Sequence, residues 1–164
     1  MIKNVKWIFV VLIISSLISF SFVGKNTPTE GLTIGDKAPT FTICGEKQLI
    51  DLKDLRGKYV LLSFWASYDA LSRMQNATLN HAVAQADNVE MVSVSFDEYK
   101  SIFNETIKKD QISTSNGFVE LAGFSSYLYQ TYRLKRGFKN FLLDENGVIV
   151  AKDVTVSELS SYLN

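Results

Sequence analysis

The chain has 164 residues, with 17 Lys and Arg against 17 Asp and Glu and therefore a formal net charge of zero. Its longest basic cluster, Arg133, Lys135, Arg136 and Lys139, is short, which argues against nucleic-acid binding. Removal of an export segment would leave about 140 residues, enough for one domain with its own core and too few for two.

Residues 1–24 differ from the rest. Lys3 and Lys6 precede an almost unbroken run of apolar and small residues from Trp7 to Val23, and the first acidic residue is Glu30. This is the pattern of a signal peptide or an N-terminal membrane anchor. A run of about 17 residues is long for a signal h-region and short for a bilayer span. Both readings stay open: cleavage after Ser21, or retention with membrane contact through residues 7–23 only. Either one places the domain in a periplasmic or otherwise extracytoplasmic position. Residues 25–33 are polar and turn-prone and read as a linker, and residues 34–164 read as the folded domain.

Tyr59 to Trp65 (YVLLSFW) and Val89 to Phe96 (VEMVSVSF) are apolar, β-rich runs with the character of central strands. Between them Leu71, Met74, Thr78, Ala82, Val83 and Ala86 recur at helical spacing, which predicts a helix laid on the sheet by that face. Strand, helix and strand form a βαβ unit with parallel pairing and a right-handed crossover. Tyr99, Ile102, Phe103, Thr106 and Ile107 predict a second helix, and Phe124, Tyr127, Leu128 and Tyr132 a short third one. Asn140–Asp144 and Val148–Lys152 then read as a hairpin turned at Asn146-Gly147. Val156 to Leu163 predicts a closing helix, with Ser157 as N-cap and Glu158 in its first turn. The fold class is α/β, with a central mixed sheet of four or five strands flanked by helices.

Four blocks in order, GDKAPTFTI (35–43), LKDLRGKYVLLSFWASYDALSR (52–73), VSFDE (94–98) and NFLLDENGVIVAK (140–152), carry a family likeness. Together they resemble the extracytoplasmic thioredoxin-like proteins of the thiol-disulfide oxidoreductase and peroxiredoxin-related type, in forms common among Bacteroidetes. The resemblance implies a thioredoxin-like fold over residues 35–163. It also implies a Phe-Trp-Ala-Ser-Trp-Cys-x-x-Cys-Arg segment after the first core strand and a cis-proline facing the cysteine pair. Phe64, Trp65, Ala66, Ser67 and Arg73 match. Tyr68 replaces the tryptophan, Asp69 and Ser72 replace the cysteines, and Phe138 stands in the proline position.

Thiol-disulfide exchange begins with a thiolate, which neither a carboxylate nor a hydroxyl can replace. His81, the one histidine, lies nine residues beyond Ser72 on the same predicted helix. That is about 13 Å along the axis, too far for a proton-transfer pair. Asp69 is expected to cap the helix rather than to catalyse. Trp65, Tyr68, Asp69, Ser72 and Phe138 form the candidate binding surface, whose aromatic rings either fill the space left by proline and cysteine or offer contact area to a ligand. Lys139 is expected to sit in an all-trans loop, because a cis bond before a non-proline residue costs about 2.5–4 kcal/mol.

Cys44 is the single cysteine, read as packed and neutral rather than peroxidatic. The residues offer no metal, nucleotide or other cofactor site. The expected function is a redox-inactive thioredoxin-like domain of the cell envelope that binds a protein, a peptide or a small ligand. The alternative is an atypical thiol-dependent oxidoreductase or peroxidase using Cys44.

Overall fold

Among the described residues, seven strands and four α-helices follow one another as β1 (Thr42–Cys44), β2 (Leu49–Asp51), β3 (Tyr59–Trp65), α1 (Ala70–Val83), β4 (Val89–Ser95), α2 (Lys100–Lys109), β5 (Gly117–Val119), α3 (Tyr127–Thr131), β6 (Asn140–Leu143), β7 (Ile149–Lys152) and α4 (Val156–Leu163). This order comes from a computed structural model, which describes residues 27–45, 49–113 and 117–163. The expected signal or anchor segment, residues 1–24, lies outside the described residues. Among those described, no helix is long and apolar enough to cross a membrane.

The main sheet has the order β5-β4-β3-β6-β7. β3 pairs in parallel with β4, as the βαβ pattern requires, and antiparallel with β6, which forms the terminal antiparallel hairpin with β7. A separate antiparallel pair, β1 with β2, packs Ile43 and Ile50 into the core.

β3 is apolar at nearly every position because both of its faces are covered. Val60, Leu62 and Phe64 point to one side, where they meet Val92, Val94, Phe96, Leu128, Tyr132 and Phe141. Leu61 points to the other, with Met91, Leu142, Leu79 of α1 and Leu159 of α4. Leu61, Leu62 and Leu142 are fully buried, and full burial of each contributes about 1.5–3 kcal/mol relative to exposure.

Helix α1 lies where the spacing places it, and Ala82 and Val83, with Ala86 just past its end, pack against the core as expected, but the positions before them present a different face. Its buried residues are Ser72, Asn76, Leu79 and Asn80, while Leu71 and Met74, expected on the sheet, are exposed. The reason is a polar seam under the helix. The Trp65 indole Nε1 donates to Ser93 Oγ at 2.8 Å, and Ser93 Oγ donates to Asn76 Oδ1 at 2.8 Å. The Asn76 Oδ1 is thereby paired while its buried Nδ2 has no partner among the described residues, and a buried face built on such polar groups has few apolar positions to reveal its phase.

The cap of α4 also lies two residues earlier than expected. Thr155, not Ser157, opens the helix: the Glu158 amide donates to Thr155 Oγ1, and the Thr155 amide donates to Glu158 Oε2 at 2.8 Å. This reciprocal pair is a capping box. The described part of the expected linker is attached to the domain rather than loose. Lys37 N donates to Thr29 O and Gly31 N to Lys37 O, and Lys152 Nζ reaches Leu32 O at 2.9 Å.

Candidate functional site

β3 ends at Trp65, and Ala66 to Asp69 turn the chain into α1. Asp69 is the N-cap, in an extended conformation, and its Oδ1 accepts from Ser72 N at 2.8 Å. One of the unpaired amides at the helix start is thereby satisfied. Asp69→Ala is expected to cost about 0.5–2 kcal/mol, read as a lower urea midpoint at unchanged slope. An unchanged midpoint would remove Asp69 from this role.

Two residues expected on the binding surface are not there. Ser72 is 5% exposed, and its hydroxyl donates to Asp69 O and accepts from Ala66 N, which staples the loop to the helix. Trp65 is fully buried and serves the polar seam beneath α1, with the Phe103 ring 6.1 Å away. Alternation along β3 decides this, because Trp65 shares the face of Leu61, opposite to that of Phe64.

Tyr68 and Phe138 do meet. Their ring centroids are 6.3 Å apart, edge to face, and Phe138 stacks on Phe96 at 5.7 Å. Phe96 in turn contacts Tyr129 at 5.6 Å, and Tyr129 contacts Phe124 at 5.0 Å. The result is a continuous ledge of five rings, anchored by buried Phe96 and ending in Tyr68 and Phe124, each 61% exposed. Packing and surface display are therefore divided among residues: Phe138 fills space, while Tyr68 and Phe124 face solvent. Burial is the largest influence holding the Tyr68 hydroxyl above its ordinary pKa, followed by Tyr129, Asp97, Asp69 and Glu98.

No cis peptide bond occurs among the described residues. The chain enters the Phe138 position through Gly137, whose φ of 118° suits glycine. It is then fixed by Phe64 N donating to Lys139 O at 2.9 Å.

Asp97 belongs to the site and was not singled out from the sequence. It is 2% exposed. Its Oδ1 accepts from Ser67 N at 2.9 Å and Ser67 Oγ at 2.5 Å, and its Oδ2 accepts from Ser95 Oγ at 2.7 Å. The carboxylate thus ties the end of β4 to the loop that presents Tyr68. A carboxylate directly after a central strand, as in VSFDE, is the signal that could have found it.

Arg73 is turned away from the ledge. Its Nε and Nη2 hold the two Asp110 oxygens at 2.7 Å each, joining α1 to the end of α2. This bidentate contact is also what holds the Asp110 carboxyl below the usual range.

Cys44, expected to be packed, is exposed. β1 alternates with Ile43 inward, so Cys44 lies on the outward face of the β1–β2 pair. Among the described contacts, none joins it to Tyr68, Asp69 or Phe138. His81 is exposed on the second half of α1. Among the described residues, no group of three or more His, Cys, Asp or Glu is placed to hold a metal ion.

With one cysteine in the chain and Asp69 and Ser72 at the helix start, dithiol chemistry has no sulfur pair to run on. Comparison with known proteins supports the same architecture. Residues 34–152 match the AhpC/TSA family. A thioredoxin-like protein from Parabacteroides distasonis, known from a crystal structure, is 42% identical, with 84% of this chain and 98% of that one covered at a TM-score of 0.74. A thiol-disulfide oxidoreductase from Bacteroides fragilis is 29% identical over 78% of this chain and 97% of its own, at a TM-score of 0.65. Thiol-disulfide oxidoreductase ResA of Bacillus cereus is 25% identical over an alignment 163 residues long that covers 95% of this chain and 92% of that protein.

Proposed function

The chain belongs to the AhpC/TSA family, and from that membership we propose that it works outside the cytoplasm as a redox-silent thioredoxin-like domain that binds an extended peptide segment of another envelope protein. One observation carries this reading. At the position where a catalytic cysteine pair would face a proline, the chain displays a connected aromatic ledge with solvent-exposed ends at Tyr68 and Phe124. Aromatic rings supply large contact area at low entropic cost and dominate binding surfaces. The β3–α1 loop below is held rigid by Asp97 and Ser72, so the surface is largely ordered before a ligand arrives. The apolar run Trp7–Val23 behind two lysines supports export.

The test is comparative capture. The chain and a Tyr68→Ala, Phe124→Ala variant are each immobilised and exposed to envelope proteins. Both residues are mostly exposed, so the fold is expected to survive their removal. Any specific partner should be retained at least tenfold less by the variant, a loss of about 1.4 kcal/mol. Equal retention would reject the ledge as the binding surface. The exposure of Cys44 is the one observation that favours single-thiol chemistry as a second reading.

A further inference from the structure

Charge is spread unevenly along this neutral chain. Between Glu120 and Asp144 there is no acidic residue, and Arg133, Lys135, Arg136 and Lys139 all stand within that span. Lys139 is held by Asp153 at 3.8 Å. Arg133, Lys135 and Arg136 are exposed, and no ion pair among the described residues engages them. Buried Leu134 holds the tight turn they form after α3, so the turn is fixed while its three cations stay in water.

The same layer of the domain receives the chain from the N-terminal apolar run. Lys37 N donates to Thr29 O, Gly35 N to Ile149 O, and the Tyr132 hydroxyl to Pro39 O at 2.6 Å, which seats the end of α3 against the incoming segment. Ala38 and Phe41 share one core with Leu128, Tyr132 and Leu134 on one face of the sheet, while α1 and α4 cover the other. Ile34, in the turn closed by Asp36 N donating to Thr33 O, and Tyr127, at the start of α3, are each 65% exposed on this layer. The acidic groups of the incoming segment and of the adjoining β1–β2 pair are offset. Asp36 accepts from Thr33 N, Asp51 from Lys53 N, Glu30 sits across a backbone bridge from Lys37, and Asp54 lies between Lys53 and Arg56 in the chain.

Chain length decides which way this layer looks. Six residues of chain from Val23 to Thr29 reach at most about 20 Å, and a domain of this size is roughly 35 Å across. With residues 7–23 in a bilayer, the tether is too short to turn the α1–α4 side toward it. We propose that this run is retained and that the domain rests on the membrane through the layer of α3, with Ile34 and Tyr127 at the interface and Arg133, Lys135 and Arg136 on anionic phospholipid headgroups. An aromatic and an aliphatic side chain beside a basic cluster suit the boundary between headgroups and acyl chains. The proposal goes beyond peptide binding by the ledge and does not depend on it.

The experiment is lysine footprinting of the full chain in lipid nanodiscs, of phosphatidylcholine alone or of equal phosphatidylcholine and phosphatidylglycerol. Acetylation of Lys135 by N-hydroxysuccinimide acetate is read by mass spectrometry against Lys108, an exposed lysine in the last turn of α2. Relative to Lys108, Lys135 is expected to react at least about fivefold more slowly in the anionic discs than in the neutral ones. The difference should vanish at about 0.5 M salt. Arg133→Gln with Arg136→Gln, both exposed, should abolish the protection while leaving Lys135 as the probe, and Ile34→Glu should weaken it. Equal relative rates in the two discs would overturn the proposal, as would protection that survives in the arginine variant. Protection by added polyglutamate in neutral discs, with none from anionic lipid, would assign the cations to an acidic protein instead. The intact mass of chain recovered from cell membranes should include residues 1–24; a mass beginning at Phe22 would remove the tether and the proposal with it.

Discussion

Replacing Asp69 and Ser72 together by cysteine is expected to give a chain that forms a disulfide between positions 69 and 72 yet reduces a disulfide substrate poorly until Phe138→Pro is added. The two positions already stand in the required relation, since Asp69 Oδ1 lies 2.8 Å from Ser72 N in the first turn of α1. Position 69 is partly exposed and at the positive end of the helix, where a thiol pKa falls. Position 72 is buried, as suits a resolving sulfur. Phe138 then becomes the obstacle. Its ring stacks on Phe96 and leans on Tyr68, occupying space opposite the new pair. Its trans backbone is held by the Phe64 to Lys139 hydrogen bond. Proline reduces the preference for trans from about 2.5–4 kcal/mol to about 0.5–1 kcal/mol and removes the ring. A stopped-flow or turbidity assay should show the unmodified chain at background, the double variant only slightly above it, and the triple variant at least about tenfold faster, a barrier change of about 1.4 kcal/mol. An unmodified chain already well above background, with the activity lost in Cys44→Ser, would make Cys44 the reactive centre and reject the redox-silent reading.

The parts of the fold that were legible in the sequence are those where one physical demand acts alone. YVLLSFW reads as a central strand because both of its faces are covered by apolar groups. The terminal hairpin reads from Asn146-Gly147, and there Asp144 Oδ1 accepts from Asn146 N and Val148 N while Gly147 takes a φ of 78°. Asp69 was legible as a cap because side-chain length and helix geometry fix that contact.

Where two demands overlap, the pattern loses its phase. In a strand apolar on both sides, Phe64 and Trp65 are indistinguishable by hydropathy, and only the pairing partners send Trp65 to the α1 side. Helix α1 buries Asn76 and Asn80 because Ser93 and the Ser113 backbone offer them partners from distant parts of the chain, and Ser72 because its hydroxyl bonds Asp69 O and Ala66 N. Counting apolar residues therefore selected Leu71 and Met74, which face solvent. β5 has only three residues and leaves no periodicity to read. The aromatic ledge joins Tyr68, Phe96, Tyr129 and Phe138 from four separate segments, so the sequence pointed to Tyr68 and Phe138 but not to the Phe96 and Tyr129 rings that extend them.

Asp97→Ala is expected to be among the most damaging single substitutions outside the apolar core, costing about 3–5 kcal/mol. The carboxylate receives Ser67 N, Ser67 Oγ and Ser95 Oγ while only 2% exposed. Water cannot take over such contacts without entering the packed end of β4. Hydrogen bonds to a charged group contribute about 1.5–3 kcal/mol each, and a buried donor left alone costs about 1–3 kcal/mol. Because the three contacts share one acceptor, their losses are not additive, and the sum lies below three full bonds. Against a typical total stability of about 5–15 kcal/mol, this is a large fraction. Asp97→Asn keeps the shape and one acceptor oxygen for Ser67, and its amide can donate to Ser95 Oγ, so it should cost less, about 1–2 kcal/mol. Urea unfolding of the three proteins gives the comparison. The same carboxylate also fixes Ser67, the residue before Tyr68, so the asparagine variant should bind the ledge's ligand more weakly even where it remains fully folded. Loss of stability without loss of binding in Asp97→Asn would confine Asp97 to the scaffold. An alanine variant as stable as the parent would show that the loop holds its shape without Asp97, with Ser72 and the cap at Asp69 sufficient to present Tyr68.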